Sequence, residues 1–445
     1  MSARGFEIAD RLLALAAHAG ADATVWVRES REGNVRFAAG EVTTAGESAS
    51  VDTTLELAFG QRHASATTNQ IDDASLRALA DRAATLARVA PKDPEHLPPL
   101  GPQRYVRNPR AWDEATSALD PAWRASAARA AIARAEEKSL VAAGFIEVGA
   151  TESTLSTSAG LRAEHRGTRA RMTTTARTSD GKGSGWAGAD ATRVSEIDAG
   201  ALAQVAADRA DRSRAATKLD PGRYTVVLEP AAVADLLSFL LGELDARAAD
   251  QGRSFFSRPS GRNRIGEPIF DPRVVLRSDP LDPATPGCPW DGDGLPLAPT
   301  TWLDRGVLRQ LYYTRFWAKR SGRAPTGTHG VYTLSSAGPA ASSAAELVAG
   351  VHRGLLVTRF WYTRWLDEKR LVATGLTRDG VFLIEDGRIG RPVNNFRFND
   401  SPVKMLSRLV GMTQQSFRAP VGDAVVRVPI VACDDFEMSS VSDAV

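Results

Sequence analysis

Cysteine is scarce in this sequence, with two residues in a chain of 445. Cys288 lies in a proline-rich loop and Cys433 in an apolar strand, and the two contexts are too distant and too unlike to suggest a disulfide framework. We expect Cys433 to be a buried small hydrophobe, whereas Cys288 could be exposed. This cysteine usage fits a reducing compartment, so we expect a cytoplasmic protein.

Long hydrophobic runs are also absent. Near the amino terminus, Ile8, Leu12 and Leu13 recur at helical spacing with Asp10 and Arg11 opposite, which predicts an amphipathic helix. Its apolar run is too short and too interrupted for a signal peptide or a membrane span. The formal net charge is +2 and the arginines are dispersed, so no nucleic-acid footprint is evident and no nucleic-acid partner is expected.

Histidine is nearly as sparse as cysteine, and no two histidines lie within a helical turn or two of each other in sequence. Zinc catalysis needs about three imidazole, thiolate or carboxylate ligands and an open position for water. No local zinc motif of common spacing exists, which favours scattered surface or hydrogen-bonded histidines. A ligand set assembled from distant segments stays an open alternative. The histidines are His18, His63, His96, His165, His329 and His352.

The common nucleophile and phosphate-binding motifs are missing too. The chain has no G-x-S-x-G, no G-x-x-x-x-G-K-[ST] and no G-x-G-x-x-G followed by the expected element. Residue types alone do not exclude a serine or aspartate hydrolase with an unrecognised site. The acidic-glycine segment at residues 291–294 lacks the later ligands of a calcium loop, and we interpret it as a structural turn.

What is present begins with repeated strand–helix units. Alternating apolar and polar residues at 51–57 predict a half-buried strand, and Asp72 or Asp73 is placed to cap the helix that follows. A second unit of the same kind has alternation at residues 169–177 and a helix capped by Asp198. The first half of the chain is therefore predicted to contain two similar groups of strands, each followed by a helix.

The composition shifts near residues 214–223, where we place a boundary between an amino-terminal domain (1–218) and a carboxy-terminal domain (219–445). Beyond it, turns rich in Gly, Pro and Asp separate short apolar strands. The predicted fold class is α+β. Strand–helix units precede a mainly antiparallel, curved or barrel-like sheet with a few helices.

Residues 374–402, TGLTRDGVFLIEDGRIGRPVNNFRFNDSP, are the most informative segment. Two Asp-Gly pairs, Asp379-Gly380 and Asp386-Gly387, predict turns between consecutive short antiparallel strands. Together with residues 426–445, VRVPIVACDDFEMSSVSDAV, this segment resembles the carboxy-terminal half of the TldD/PmbA family. That family contains a zinc peptidase subunit and a metal-free sister.

The resemblance directs attention to the helix that begins after Glu229. In catalytic members of the family, a helix carries an H-E-x-x-x-H motif whose two His bind zinc and whose Glu is the general base. At the matching positions this chain has Ser238, Phe239 and Glu243. A metal-binding Cys of the catalytic relatives is also missing from the matching residues 411–420. The apolar side of this helix is predicted to be buried, with Leu236, Leu237, Leu240, Leu241 and Leu244 in the core.

The resemblance therefore implies a non-catalytic, TldE/PmbA-like subunit of a heterodimeric zinc metallopeptidase that degrades or matures unfolded or small peptides. It implies no catalytic residue, metal ligand or cofactor in this chain, and zinc in a TldD-like partner subunit. A peptide-binding or assembly protein that acts without a peptidase partner is the alternative. An independent hydrolase is a third possibility.

Two aromatic stretches stand out in a chain with 7% aromatic residues, at 312–317 and 359–365. Trp, Tyr and Arg are enriched at interaction hot spots, so a stretch could face a partner subunit or a bound peptide. Burial inside a sheet is the competing interpretation. The candidate contact residues are Arg359, Trp361, Arg364 and Trp365.

Overall fold

A computed structural model describes residues 3–442 except 260, 421 and 423. The first half contains five α-helices, six strands and two short 3-10 turns (109–111 and 194–196). In chain order these are α1 (Ala3–Ala19), β1 (Asp22–Ala38), β2 (Glu41–Phe59), β3 (Arg62–Thr68), α2 (Asp73–Val89), α3 (Glu114–Ser117), α4 (Pro121–Glu136), β4 (Leu140–Thr157), β5 (Arg162–Thr178), β6 (Ser184–Ala191) and α5 (Ala199–Arg212).

The six strands form one antiparallel sheet in the order β3-β2-β1-β4-β5-β6. Each half of the sheet is a three-stranded meander followed by a helix, and β1 pairs with β4 at the centre. The predicted strand–helix units are thereby confirmed. Asp72 and Asp198 cap the two helices by accepting hydrogen bonds from the backbone N–H groups of Ser75 and Ala201.

Small residues set the close approach of helices to this sheet. In the first unit, Ala80, Ala83 and Ala87 of α2 are buried in the same core as Leu55 and Leu57 of β2. In the second, the buried face of α5 is entirely alanine (Ala203, Ala206, Ala207, Ala210). A Cβ on Gly185 of β6 would lie 2.2 Å from the carbonyl oxygen of Ala206, so this strand position excludes any side chain.

The second half contains a larger mixed sheet. Its elements are β7 (Gly222–Leu228), α6 (Pro230–Gly242), α7 (Ala246–Asp250), β8 (Ser257–Arg258), β9 (Arg262–Asn263), β10 (Val274–Ser278), β11 (Thr300–Asp304), β12 (Val307–Leu308), α8 (Arg315–Ser321), β13 (Val331–Ser336), α9 (Ala344–Ala349), β14 (Arg353–Asp367), β15 (Val372–Glu385), β16 (Arg388–Pro392), β17 (Asn395–Asp400), α10 (Pro402–Ser407), β18 (Leu409–Ala419) and β19 (Val425–Ser442).

Part of this sheet closes on itself. Strands β19, β17, β15, β14 and β7 are neighbours in that order, and β7 also pairs with β19. Most pairs are antiparallel, with β7–β14 and β13–β19 parallel. Phe360, Phe398 and Phe436, from three different strands of the ring, pack together with ring centroids 4.2–5.8 Å apart. The α+β class and the barrel-like, mainly antiparallel sheet are confirmed.

The two Asp-Gly pairs have different roles. Asp386-Gly387 is the two-residue turn between β15 and β16, with φ of 47° and 72°. The prediction of a turn at Asp379-Gly380 was wrong, because β15 continues through these two residues. They form an irregularity in the pairing of β15 with β14. There the Thr358 hydroxyl lies 3.1 Å from the Gly380 carbonyl oxygen, which fixes the distorted backbone.

The first sheet ends at Ala191 and the second begins at Gly222. Division of the chain into independent domains at residues 218 and 219 stays a prediction. None of the helices in the described part of the chain combines the length and the apolarity needed to cross a membrane. Cys433 is buried in β19 as expected, and burial of Cys288 raises its thiol pKa to about 12.

Helix α6 is a packing helix, as its leucines predict. Leu236, Leu237, Leu240 and Leu244 are buried in the main core of the second half, and Leu241 is half-buried against it.

Leu240→Ala should lower the free energy of unfolding by about 2–5 kcal/mol, because it leaves a cavity in a fully buried position. Urea unfolding followed by circular dichroism measures this. Ser238→Ala, on the exposed side of the same helix, is the control and should change stability by less than about 0.5 kcal/mol. An equally small effect of Leu240→Ala would show that this face is not core.

Candidate functional site

The candidate site is built on α6, which follows strand β7 directly. Pro230 occupies the first turn, where its missing N–H costs no hydrogen bond. Glu229 precedes it, and its carboxylate accepts a hydrogen bond from Arg209 of α5, which ties the start of α6 to the first half of the chain. Burial raises the pKa of Glu229, and Arg209 opposes that shift.

Ser238, Phe239 and Glu243 lie at the end of α6 away from Pro230. Ser238 is exposed and its hydroxyl donates to the backbone carbonyl of Asp235 at 2.7 Å. Phe239 packs edge-on against Trp365 of β14, with ring centroids 4.6 Å apart and an interplanar angle of 80°. Glu243 is the C-cap residue, and burial, with the negative charge of Glu368 nearby, raises its pKa.

Ser238, Phe239 and Glu243 bring one carboxylate, and no imidazole or thiolate, to this end of α6. Strand β18, which carries residues 411–419, packs against α6. Neither segment contains a His or a Cys. Among the described residues, the group of three His, Cys, Asp or Glu ligand atoms close enough to hold an ion is Glu56, His63 and His96, on the amino-terminal sheet and its following loop.

The second aromatic stretch lies on the end of β14 that contacts α6. A bulge between Trp361 and Arg364 interrupts the pairing with β15, and Tyr362 has φ of +57°. The exposed fractions of Trp361, Tyr362 and Leu366 are 43%, 73% and 57%. Arg364 is exposed, whereas Trp365 is partly buried on the core beside Phe239. We call Phe239, Trp361, Tyr362, Trp365 and Leu366 the aromatic patch.

Arg359 differs from the other candidate contact residues because its charge is used inside the protein. Its side chain is 14% exposed, and Nε lies 3.1 Å from Oδ2 of the buried Asp379. The guanidinium also lies over the rings of Trp186 and Trp361, at 5.0 and 4.8 Å from their centroids. Arg359 therefore supports Trp361 from the interior.

The first aromatic stretch, at 312–317, is structural. Tyr313 and Trp317 are buried, and Thr314 caps α8. The indole Nε1 of Trp317 donates to Asp250 at 2.8 Å, so its polar group is satisfied within the core. Burial is the correct interpretation of this stretch.

A titratable carboxyl lies under the site. Burial raises the pKa of Asp235 on α6 to about 7, although the charge of Arg359 and the backbone N–H of Phe360 both favour the ionised form. The folded protein therefore binds the Asp235 proton more tightly than the unfolded chain does.

For a carboxyl whose pKa is raised in the folded state, stability falls as pH rises from the unfolded pKa of 3.8 to the folded value of about 7. Asp235→Asn removes this charge. The variant should gain stability relative to the wild type between pH 5 and pH 8, as measured by urea unfolding at both values. A difference that is independent of pH, or that changes in the opposite direction, would contradict the raised pKa.

Comparison with known proteins shows which family this fold belongs to. Residues 221–440 match the PmbA/TldA metallopeptidase C-terminal domain, residues 114–214 the PmbA/TldA metallopeptidase central domain, and residues 23–87 PmbA/TldA metallopeptidase domain 1. The three matches follow one another along most of the chain, so the chain has the domain arrangement of this metallopeptidase family. The chain belongs to the PmbA/TldD family.

Solved structures share the whole fold. TldE from Thermococcus kodakarensis superposes with a TM-score of 0.87 at 16% identity, covering 97% of this chain and 99% of that one. A protein from Bacteroides thetaiotaomicron, described as a proposed modulator of DNA gyrase, gives 0.84 at 20% identity over 99% of both chains. A similarly described Thermotoga maritima protein gives 0.84 at 17% identity, covering 97% of this chain and 99% of that one. No curated protein matches the chain.

Proposed function

We propose that this chain is the non-catalytic, TldE/PmbA-like subunit of a heterodimeric zinc metallopeptidase that acts on unfolded or small peptides in the cytoplasm. The observation that carries the proposal is the composition of α6 in a chain of this family. The helix keeps its place beside β14 and β18, but Ser238, Phe239 and Glu243 offer neither an imidazole pair nor a positioned general base.

Zinc in the TldD-like partner would supply the activated water that attacks the peptide carbonyl. This chain would contribute a surface that contacts the partner subunit or the peptide. The aromatic patch suits that role because it exposes large apolar side chains beside α6, and Trp and Tyr are the types that dominate interface energetics. Of the predicted contact residues, Trp361, Arg364 and Trp365 remain candidates for direct contact, and Arg359 is proposed to position Trp361.

A peptide-binding or assembly protein without a peptidase partner is the second candidate. The same exposed aromatic patch favours it, since such a surface can bind a peptide directly. The two functions differ in what the chain assembles with. A stable complex with a zinc-containing sister chain supports the first, and a homodimer that binds peptide supports the second.

The purified chain should not cleave casein or unfolded peptides in a chelator-sensitive manner, because α6 lacks the ligands and the base. Co-expression with a TldD-like sister from the same genome should yield activity that a chelator abolishes. The sister chain alone and a sister variant with both motif His replaced serve as controls. Chelator-sensitive cleavage by the lone chain would overturn the assignment as a non-catalytic subunit.

Tyr362→Ser with Leu366→Ser should weaken assembly with the sister chain at least tenfold, since both side chains are exposed in the patch and an obligate interface buries more than about 2,000 Å². Size-exclusion chromatography of the co-expressed pair, with a dilution series, measures the effect. Val89→Ser with Val106→Ser is the matched control, because these exposed apolar residues lie elsewhere in the chain.

Both double variants should keep the wild-type melting temperature, which confirms that exposed positions were changed. Unaltered assembly in the patch variant would show that the aromatic patch is not part of the interface. Separate elution of the two wild-type chains would contradict the heterodimer proposal.

A further inference from the structure

The structure brings together two histidines that sequence analysis treated as unrelated. His63 of β3 and His96, in the loop after α2, stack with ring centroids 4.2 Å apart and an interplanar angle of 25°. One ligand atom from each of Glu56, His63 and His96 lies within 4.8 Å of the other two. This grouping is on the amino-terminal sheet and shares no element with α6.

Strand register explains how Glu56 and His63 come to share a face. Ala58 of β2 lies opposite His63 of β3 and opposite Asp22 of β1, so these residues project from the same side of the sheet. Glu56 is two residues before Ala58 and projects to that side too. The intervening Leu57 is buried on the opposite side, in the core with α1 and α2. The polar face is therefore fixed by the core behind it.

A tethered loop holds His96 over that face. The backbone N–H of Asp93 donates to the carbonyl of Gln61 at 2.8 Å, which fastens the loop to the β2–β3 turn. The backbone N–H of His96 donates to the Asp93 carbonyl at 3.2 Å. On the other side, both carboxylate oxygens of Glu95 accept from Arg247 of α7, at 2.6 and 2.7 Å. The loop is thus anchored at Asp93 and at Glu95, the residues that lead into His96.

The hydrogen bonding of the His63 imidazole suits a metal. His63 Nε2 lies 3.2 Å from Asp93 Oδ2, and with its proton on Nε2 the ring directs the Nδ1 lone pair toward Glu56 Oε2, 3.7 Å away. A carboxylate that accepts from the second ring nitrogen is the usual orienting partner of a metal-bound His. Ligand atoms of a tetrahedral zinc site lie about 3.3 Å apart, so small side-chain rotations would close the set.

Ion pairs with Glu56 and Asp93 explain the position of His63, but they do not explain why His96 lies beside it. Within the described residues, neither ring nitrogen of His96 has a hydrogen-bond partner.

The surroundings favour a cation and leave room for a further ligand. The cluster borders a cavity of roughly 320 Å³ closed on the far side by residues of the second half. Five carboxylates line it, against the guanidinium of Arg315, and one of them, Glu95, is paired with Arg247. The other four are Asp22, Glu56, Asp93 and Asp293. Two imidazoles and one carboxylate are the ligands of zinc, cobalt, nickel and copper rather than of calcium or magnesium.

We propose that Glu56, His63 and His96 bind one divalent transition-metal ion of the zinc class, that Asp93 orients His63, and that the remaining coordination position opens into the cavity. This departs from the expectation that the chain carries no metal, which was based on α6. It does not depend on the peptidase assignment.

Titration of the chelator-stripped full chain with Zn²⁺ by calorimetry, and with Co²⁺ by visible absorption, tests the proposal. We expect saturation at one ion per chain and the absorption bands of imidazole-bound cobalt. His63→Asn, His96→Asn and Glu56→Gln should each lower affinity at least about tenfold, and Asp93→Asn about 10–100-fold through His63. His352→Asn is the matched control, because His352 is an exposed histidine with a carboxylate neighbour, Asp386, at 3.1 Å.

The thermal midpoint gives a second measurement that does not depend on spectroscopy. Zn²⁺ should raise it in the wild type and in His352→Asn, and should not raise it in His96→Asn. Metal-free midpoints near that of the wild type show that the variants fold. Absence of saturable binding of either ion by the wild type would overturn the proposal, as would unchanged binding in His63→Asn and His96→Asn.

Discussion

Two buried aspartates hold the two sheets of this protein in one arrangement. Asp190 of β6 and Asp379 of β15 each have a side chain that is 1% exposed. Asp190 accepts a hydrogen bond from Arg418 of β18, and Asp379 accepts one from Ser184 of β6 and pairs with Arg359 of β14. Each half thus supplies a buried carboxylate that accepts a hydrogen bond from the other half.

This constraint extends to the candidate site through β14. Asp379 and the ring of Trp186 hold Arg359, and Arg359 lies under Trp361. Beyond Trp361 the strand leaves its regular pairing with β15 and exposes Tyr362. One end of the aromatic patch is therefore fixed by the junction between the sheets, whereas the other is open. A surface that is rigid where it meets the core loses less entropy on binding than a mobile loop would.

Local patterns in the sequence predicted most of the fold. Pro230 and the leucines of α6, the caps at Asp72 and Asp198, and the Asp386-Gly387 turn all depend on neighbours within a few residues, and all are present. Asp379-Gly380 could not be assigned in this way, since an Asp-Gly pair favours positive φ in a turn and in a bulge alike. Contacts from Thr358 and Ser184, distant in sequence, decide between the two.

The candidate sites show the same division between local and distant information. On α6, catalytic ligands would belong to one helix, so their replacement by Ser238, Phe239 and Glu243 is visible in the sequence. The pairing of His63 with His96 is not visible, because it depends on the hydrogen bond from Asp93 to Gln61 that folds the loop back over the sheet. Absence of a local metal motif therefore bears on the helix that would carry the motif, but it carries no weight for ligands that only the tertiary fold brings together. The proposed metal site is separate from α6 and lies on the face of the first sheet that is opposite the core with α1 and α2.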